Sequence, residues 1–231
     1  MSKTQAVLVN ELSQRRGDPH LTYFGIEELR TWINEGAREI ARRTECLRAV
    51  STVSVTAGTQ SYSGPTDMVR IHKIEFIPTG DTRSFPLEYR DQSAADIVWG
   101  TQRAITQSYA PEFWSGWGFP GSSNFTIELY PTPSTNGSLR IHYYRLPVDL
   151  ATSGNSSAGT AIDCPNGWED VILDWAETRA ELKRKDVNAY QIKDAIFKDH
   201  LIAIMDTSIR YTDAPGEITF DTQWFADESG Y

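Results

Sequence analysis

Four histidines, two cysteines and one stripe of carboxylates are the side chains of this chain that could do chemistry. His20, His72, His142 and His200 stand apart, without the H-x-x-x-H or H-E-x-x-H spacing that puts two metal ligands on one helix face. His72 and His142 fall in segments of alternating polarity, where a packed or surface histidine is the commoner outcome. Cys46 and Cys164 are the only cysteines and form no C-x-x-C pair, so we read them as reduced, half-buried thiols. Cys164 comes just before a predicted helix, whose amino-terminal dipole would favour a thiolate, but no base stands beside it in sequence. Asp170, Asp174, Glu177 and Glu181 recur at four-, three- and four-residue spacing on one helix face. A di-metal bundle would add Glu-x-x-His, and residues 163–185 hold no histidine. The stripe is therefore expected to be solvated or to face a neighbour or a channel. With no G-x-S-x-G, P-loop or G-x-G-x-x-G, the expectation is no enzyme, no metal and no cofactor.

Binding is the remaining class. Tyr109 to Phe119 (YAPEFWSGWGF) is the densest aromatic stretch, and aromatic side chains on a sheet can stack sugars. The plainer reading has alternate members filling a β core while the others edge an interface. The formal charge is −9, with 22 basic and 31 acidic residues, and no basic footprint for gripping phosphates is visible. Arg15-Arg16, Arg42-Arg43 and Lys183-Arg184-Lys185 sit near predicted helix ends, where cations complement the helix dipole. No apolar run approaches the roughly 20 residues of a membrane span, and Met1 to Thr4 opens no signal peptide. The protein is expected to be made in a cytoplasm and to meet no membrane.

The elements that would position these residues change period twice along the chain. Thr4 can cap a short helix with Val7, Leu8 and Leu12 inward, stopped by Gly17-Asp18-Pro19. Ile26, Leu29, Ile33, Ala37 and Ile40 predict a second helix over about 25–44, acidic at its start and basic at its end. After Leu47 the period becomes two. Segments near 51–56, 60–63, 68–77, 85–89, 112–118, 125–130 and 139–145 alternate between turn signals, which suggests a small antiparallel sandwich or curled sheet. A helical turn or two is expected within 93–99. Residues 151–162 read as a Ser/Gly-rich loop. Two further helices follow, the first with Trp168, Val171, Ile172, Trp175, Arg179 and Leu182 on one side. The second runs over about 187–210, with Tyr190, Ala195, Ile196, Ile202 and Met205 as its core face. The fold class is thus α+β: a helical bundle from both chain ends (1–48 and 163–211), an inserted antiparallel β-sandwich-like module (49–162) and an extended carboxy-terminal arm (212–231). The arm carries five acidic and no basic residues, and its apolar groups Ile218, Phe220, Trp224, Phe225 and Tyr231 call for a docking surface.

Several runs then resemble one family. Trp32 to Thr44 (WINEGAREIARRT) resembles the opening helix of the head–tail adaptor proteins of tailed phages. Val53 to Tyr62 (VSVTAGTQSY) and Pro65 to Ile71 (PTDMVRI) resemble its strand, turn and second strand. Ile127 to Pro133 (IELYPTP) and Leu139 to Arg145 (LRIHYYR) look like its later paired strands, and Pro165 to Asp170 (PNGWED) like its entry into the last helices. These matches spread over about residues 26–182; neither the first 25 residues nor the arm is covered. The resemblance implies a structural virion protein of the neck, at the head–tail interface. Its copies would form a dodecameric ring beneath the portal protein, extend the DNA ejection channel and offer a platform to tail or nozzle proteins. Double-stranded DNA would pass through the lumen without sequence-specific binding. It also implies that the arm docks on the portal, a role that falls here to Ile218, Phe220, Trp224, Phe225 and Tyr231. A different neck or tail protein, such as a tail terminator or tail-tube-like subunit, is the alternative, followed by a sugar-binding virion module.

Overall fold

The computed structural model describes residues 3–91, 93, 107–154 and 159–212, with the side chains of the last helix described as far as Met205. The protein is α+β. Two helices open it, α1 (Gln5–Arg15) and α2 (Ile26–Thr44). Nine strands follow: β1 (Arg48–Val55), β2 (Ser61–Ser63), β3 (Met68–Pro78), β4 (Phe85–Tyr89), β5 (Gln107–Ser108), β6 (Phe113–Trp117), β7 (Thr126–Tyr130), β8 (Thr132–Pro133) and β9 (Gly137–Arg145). Helices α3 (Glu169–Arg184) and α4 (Val187–Thr212) complete the described chain.

Seven strands make one sheet in the order β1-β9-β3-β4-β6-β7-β2, and β5 and β8 pair separately. Its two edge strands feed one interior, where Val55 of β1 and Tyr62 of β2 join the same apolar cluster as Ile74, Phe76, Ile127, Leu139 and Ile141. The sheet is therefore curled about a single core and is not a two-layer sandwich. It is also mixed, since β4 and β6 run parallel, as do β5 and β8. A parallel pair needs a crossover of about a dozen or more residues, and the stretch 90–112 between β4 and β6 is long enough to make one. The expected helical turn at 93–99 falls within that stretch and, beyond Ser93, lies outside the described residues.

The helices surround a second core built from Leu8, Leu12, Leu29, Ile33, Ile172, Ala176, Phe197 and Leu201, which Leu150 and Ile162 also enter. Helix α3 is central, packed on by α1, α2 and α4. A Cβ on Gly36 of α2 would lie 3.1 Å from the Ile172 carbonyl oxygen and from the Trp175 ring, so the missing side chain sets how closely α2 approaches α3. The two cores meet at a polar seam. The Asn34 amide donates to the Leu150 carbonyl at 2.7 Å and accepts from its N–H at 3.3 Å, as a strand partner would. Gln5 donates to the Ala151 carbonyl at 3.0 Å, and Arg145 grips Asp163 through two bonds of 2.5 and 3.0 Å. Burial pushes the Asp163 carboxyl up, but the bonds from Arg145 and the Val148 N–H outweigh it and hold it below the usual carboxylate range.

Two expected helix faces are corrected. Leu182 of α3 is 45% exposed, and its flank of Ala176 and Ala180 lies inside. In α4 the core positions are Phe197 and Leu201, while Ile202 is 50% exposed and Ala195 is also outside. A 26-residue helix with apolar residues at most angles offers several stripes. Trp175 chooses among them by taking Phe197 against its ring at 5.1 Å.

Candidate functional site

The carboxylate stripe of α3 is not solvated. Asp174, Glu177 and Glu181 are buried, and only Asp170 stays open to water. Each meets a basic side chain brought by a neighbouring element. Arg15 of α1 reaches Asp170 at 2.9 Å and Glu177 at 3.5 Å, and Arg16 pairs with Glu181. From α4, Lys193 reaches Glu177 at 2.5 Å and His200 meets Asp174 at 2.6 Å. This is an ionic latch holding α1 and α4 on α3. Arg15 lies in the last turn of α1, as the dipole reading expects, and Arg15, Arg16 and Lys193 are also structural partners of the stripe.

The thiols are poorly suited to nucleophilic work. Burial pushes Cys164 up to about 12, with Glu169, Cys46 and Asp163 adding to the shift, and burial raises Cys46 as well. Both are free and half-buried. The helix-dipole thiolate considered for Cys164 is overridden by desolvation. Among the described residues no group of three or more His, Cys, Asp or Glu side chains is arranged to hold a metal ion, and no helix is long and apolar enough to cross a membrane.

The aromatic stretch divides between the faces of β6. Trp114 enters the sheet interior, and Phe113 on the opposite face stacks on Tyr130 at 5.2 Å. Trp117 and Phe119 are 62% and 83% exposed. Trp114 and Trp117, three residues apart on one strand, point to opposite faces and form no common stacking platform. Trp114, Tyr89, Leu87, Met68 and Phe125 line a cleft of about 520 Å³ on the sheet.

Sequence reading missed a basic face. The pairing register sets Arg48 and Arg70 on either side of Tyr144, and sets Arg140 and His142 opposite Glu75 and Lys73. Four cations, Arg48, Arg70, Lys73 and Arg140, therefore share the outer surface of β1, β9 and β3, and all are exposed. The Arg48 and Arg70 guanidinium carbons lie 5.6 and 5.2 Å from the Tyr144 ring centre. Two carboxylates are set among them. Glu45 pairs with Arg70, and Glu75 takes Lys73 at 2.5 Å, His142 at 3.6 Å and Arg140 at 3.8 Å. The Lys73 hydrogen bond holds Glu75 below the usual carboxylate range, against the opposing pull of burial. Strict alternation would put Arg70 and Lys73, three residues apart on β3, on opposite faces, and the register shift between Ile71 and Lys73 brings them to one. Only the register between strands far apart in the chain brings the four together.

Ile218, Phe220, Trp224, Phe225 and Tyr231, the residues expected to dock on a partner, lie outside the described residues. A family model described as SU10 adaptor protein matches residues 4–219. No curated protein matches the chain.

Proposed function

The chain belongs to the SU10 adaptor protein family, a family of phage head–tail adaptors, and from that premise we propose that it is the subunit of a ring between portal and tail. Adaptor membership suggests a structural component of the virion that works by contact with other virion proteins. Beyond this, our reading is of a dodecamer in the neck, seated beneath the portal protein, whose lumen extends the channel through which DNA is ejected. Tail or nozzle proteins meet its far side. The observation that carries the reading is the extent of the family match, which takes in nearly all of the chain, including the α3 and α4 segments and the start of the arm.

Within that reading, residues 1–48 and 163–211 form the bundle that makes the body of the ring. Residues 49–162 form the inserted β module, and 212–231 form the arm that docks on the portal. Ile218, Phe220, Trp224, Phe225 and Tyr231 supply the apolar anchors of the arm, and its five acidic residues keep it soluble before docking. Co-sedimentation with the portal ring of the same virus tests this. The full chain should pellet with the portal, and a chain ending at residue 211 should keep its melting temperature but lose at least about 100-fold in affinity. Undiminished portal binding by the truncated chain would remove the arm from the account. Binding to tail components in place of portal would move the protein to another slot in the neck.

A further inference from the structure

We propose that the outer face of α4 in one copy lies along the basic β1–β9–β3 face of the next copy. This rests on the ring reading above and names the contact that would close the ring. Among the described residues, neither surface is covered within its own subunit. The described helices bury their apolar residues in a core separate from that of the sheet, and Arg48, Val50 and Thr52 on the outer side of β1 are exposed. On α4, Ile192, Ala195 and Ile202 recur along the outer side, and Val187, Ile192 and Ile202 are 64%, 62% and 50% exposed. Packing a helix on a sheet is the commonest way to cover both.

Charge makes the match specific. Among the described side chains of α4, Lys193 turns to Glu177 of α3 at 2.5 Å and Lys198 to Asp194 of α4 itself at 3.1 Å. Asp199 is exposed on the outer side beside the apolar stripe, and exposed Asp186 caps the start of the helix, where its carboxylate accepts from the Ala189 N–H at 3.0 Å. The sheet face has the opposite balance, four cations against Glu45 and Glu75, with exposed Val50 and half-buried His142 among them. Sizes agree as well. Three strands span about 10 Å from axis to axis and roughly 30 Å in length, close to the footprint of a helix about 10–12 Å wide. Nucleic acid fits this face less well. An excess of two positive charges is small beside the 6–10 phosphate contacts of a typical DNA-binding surface, and exposed Val50 offers phosphate nothing. Because the two surfaces differ, the contact is head-to-tail, the kind that closes into a ring when its rotation allows.

The test uses two full-length variants with substitutions at exposed positions, R48E/R140E on the sheet and I192E/I202E on the helix, each checked for unchanged melting. Self-association of wild type and variants is followed by sedimentation velocity and by amide chemical shifts up to about 1 mM protein. Wild type should associate with shifts confined to α4 and β1–β9–β3, and each variant alone should associate at least about tenfold more weakly. Mixed, the two variants should form one-to-one dimers and nothing larger, because only one intact pair of faces remains. Three results would overturn the proposal: no wild-type shifts at either face, association unchanged in both variants, or a mixture no different from its components. If R48E/R140E instead abolishes retention on duplex DNA while association is intact, the face belongs to nucleic acid and the proposal fails. The arm truncation assayed on portal is a separate readout, so failure of this contact and failure of the adaptor reading are told apart.

Discussion

The helical region and the sheet place their charges in opposite ways. The helices turn charge inward: Asp174, Glu177 and Glu181 of α3 are buried and meet Arg15, Arg16 and Lys193, with His200 against Asp174. The sheet has an apolar interior of Ile74, Phe76, Ile127, Leu139 and Ile141 and carries Arg48, Arg70, Lys73 and Arg140 outside. A charge inside the bundle positions helices, because separating it from its partner strands an ion in a poor solvent. A charge on the sheet surface holds little structure and is available to a partner. Two surfaces of one small protein thus divide its ionic residues into those that fix the fold and those that can recognise.

The strongest way to break this contrast is to remove half of the innermost pair. Arg16 and Glu181 have side chains 6% and 8% exposed, so Arg16→Ala should cost about 3–5 kcal/mol in urea unfolding, and replacing both by Met and Leu should cost much less. A loss under about 1 kcal/mol for Arg16→Ala would mean that the latch is ornamental.

A second test concerns acid. Asp18 at the end of α1 accepts from the Phe24, Thr22 and Tyr23 N–H groups and from the Thr22 hydroxyl. These bonds, that from Phe24 first, hold its carboxyl well below the ordinary 3.8. A depressed carboxylate lends stability that is fully present above its unfolded pKa and is lost as the pH falls through the folded one. Stability should therefore decline as the pH drops below about 4, with a shallower slope in Asp18→Asn. Equal slopes in the two proteins would remove Asp18 from the account.

The smallest effect should come from the sheet surface. Arg48→Ala and Arg140→Ala should each change stability by no more than about 0.5 kcal/mol in the same urea assay. A larger loss would make these residues part of the fold and would weaken the contrast.

How much of this was legible in the sequence follows the same division. The element types came through because periods of 3.6 and 2 are local. The helix over Ile26–Thr44 and the strand over Phe85–Tyr89 fall where the apolar spacing puts them. Faces that depend on distant partners did not. The α3 stripe looked solvated because the cations that bury it lie in α1 and α4. The core side of α4 was read only in part: Met205 packs on the core as expected, but Ala195 and Ile202 lie outside because Trp175, more than twenty residues earlier, selects Phe197. The parallel pairing of β4 with β6 leaves no mark in either strand, and the role of Asn34 depends on the backbone of Leu150, 116 residues away. The basic sheet face was hidden for the same reason, since register is a property of pairs of strands.

The most direct measurement is negative-stain imaging of the portal ring of the same virus, alone and after incubation with this protein. The adaptor account predicts an added collar of density on the tail side of the portal, with the portal's own rotational symmetry. A portal that stays bare at saturating protein, while its authentic neck components bind, would contradict it.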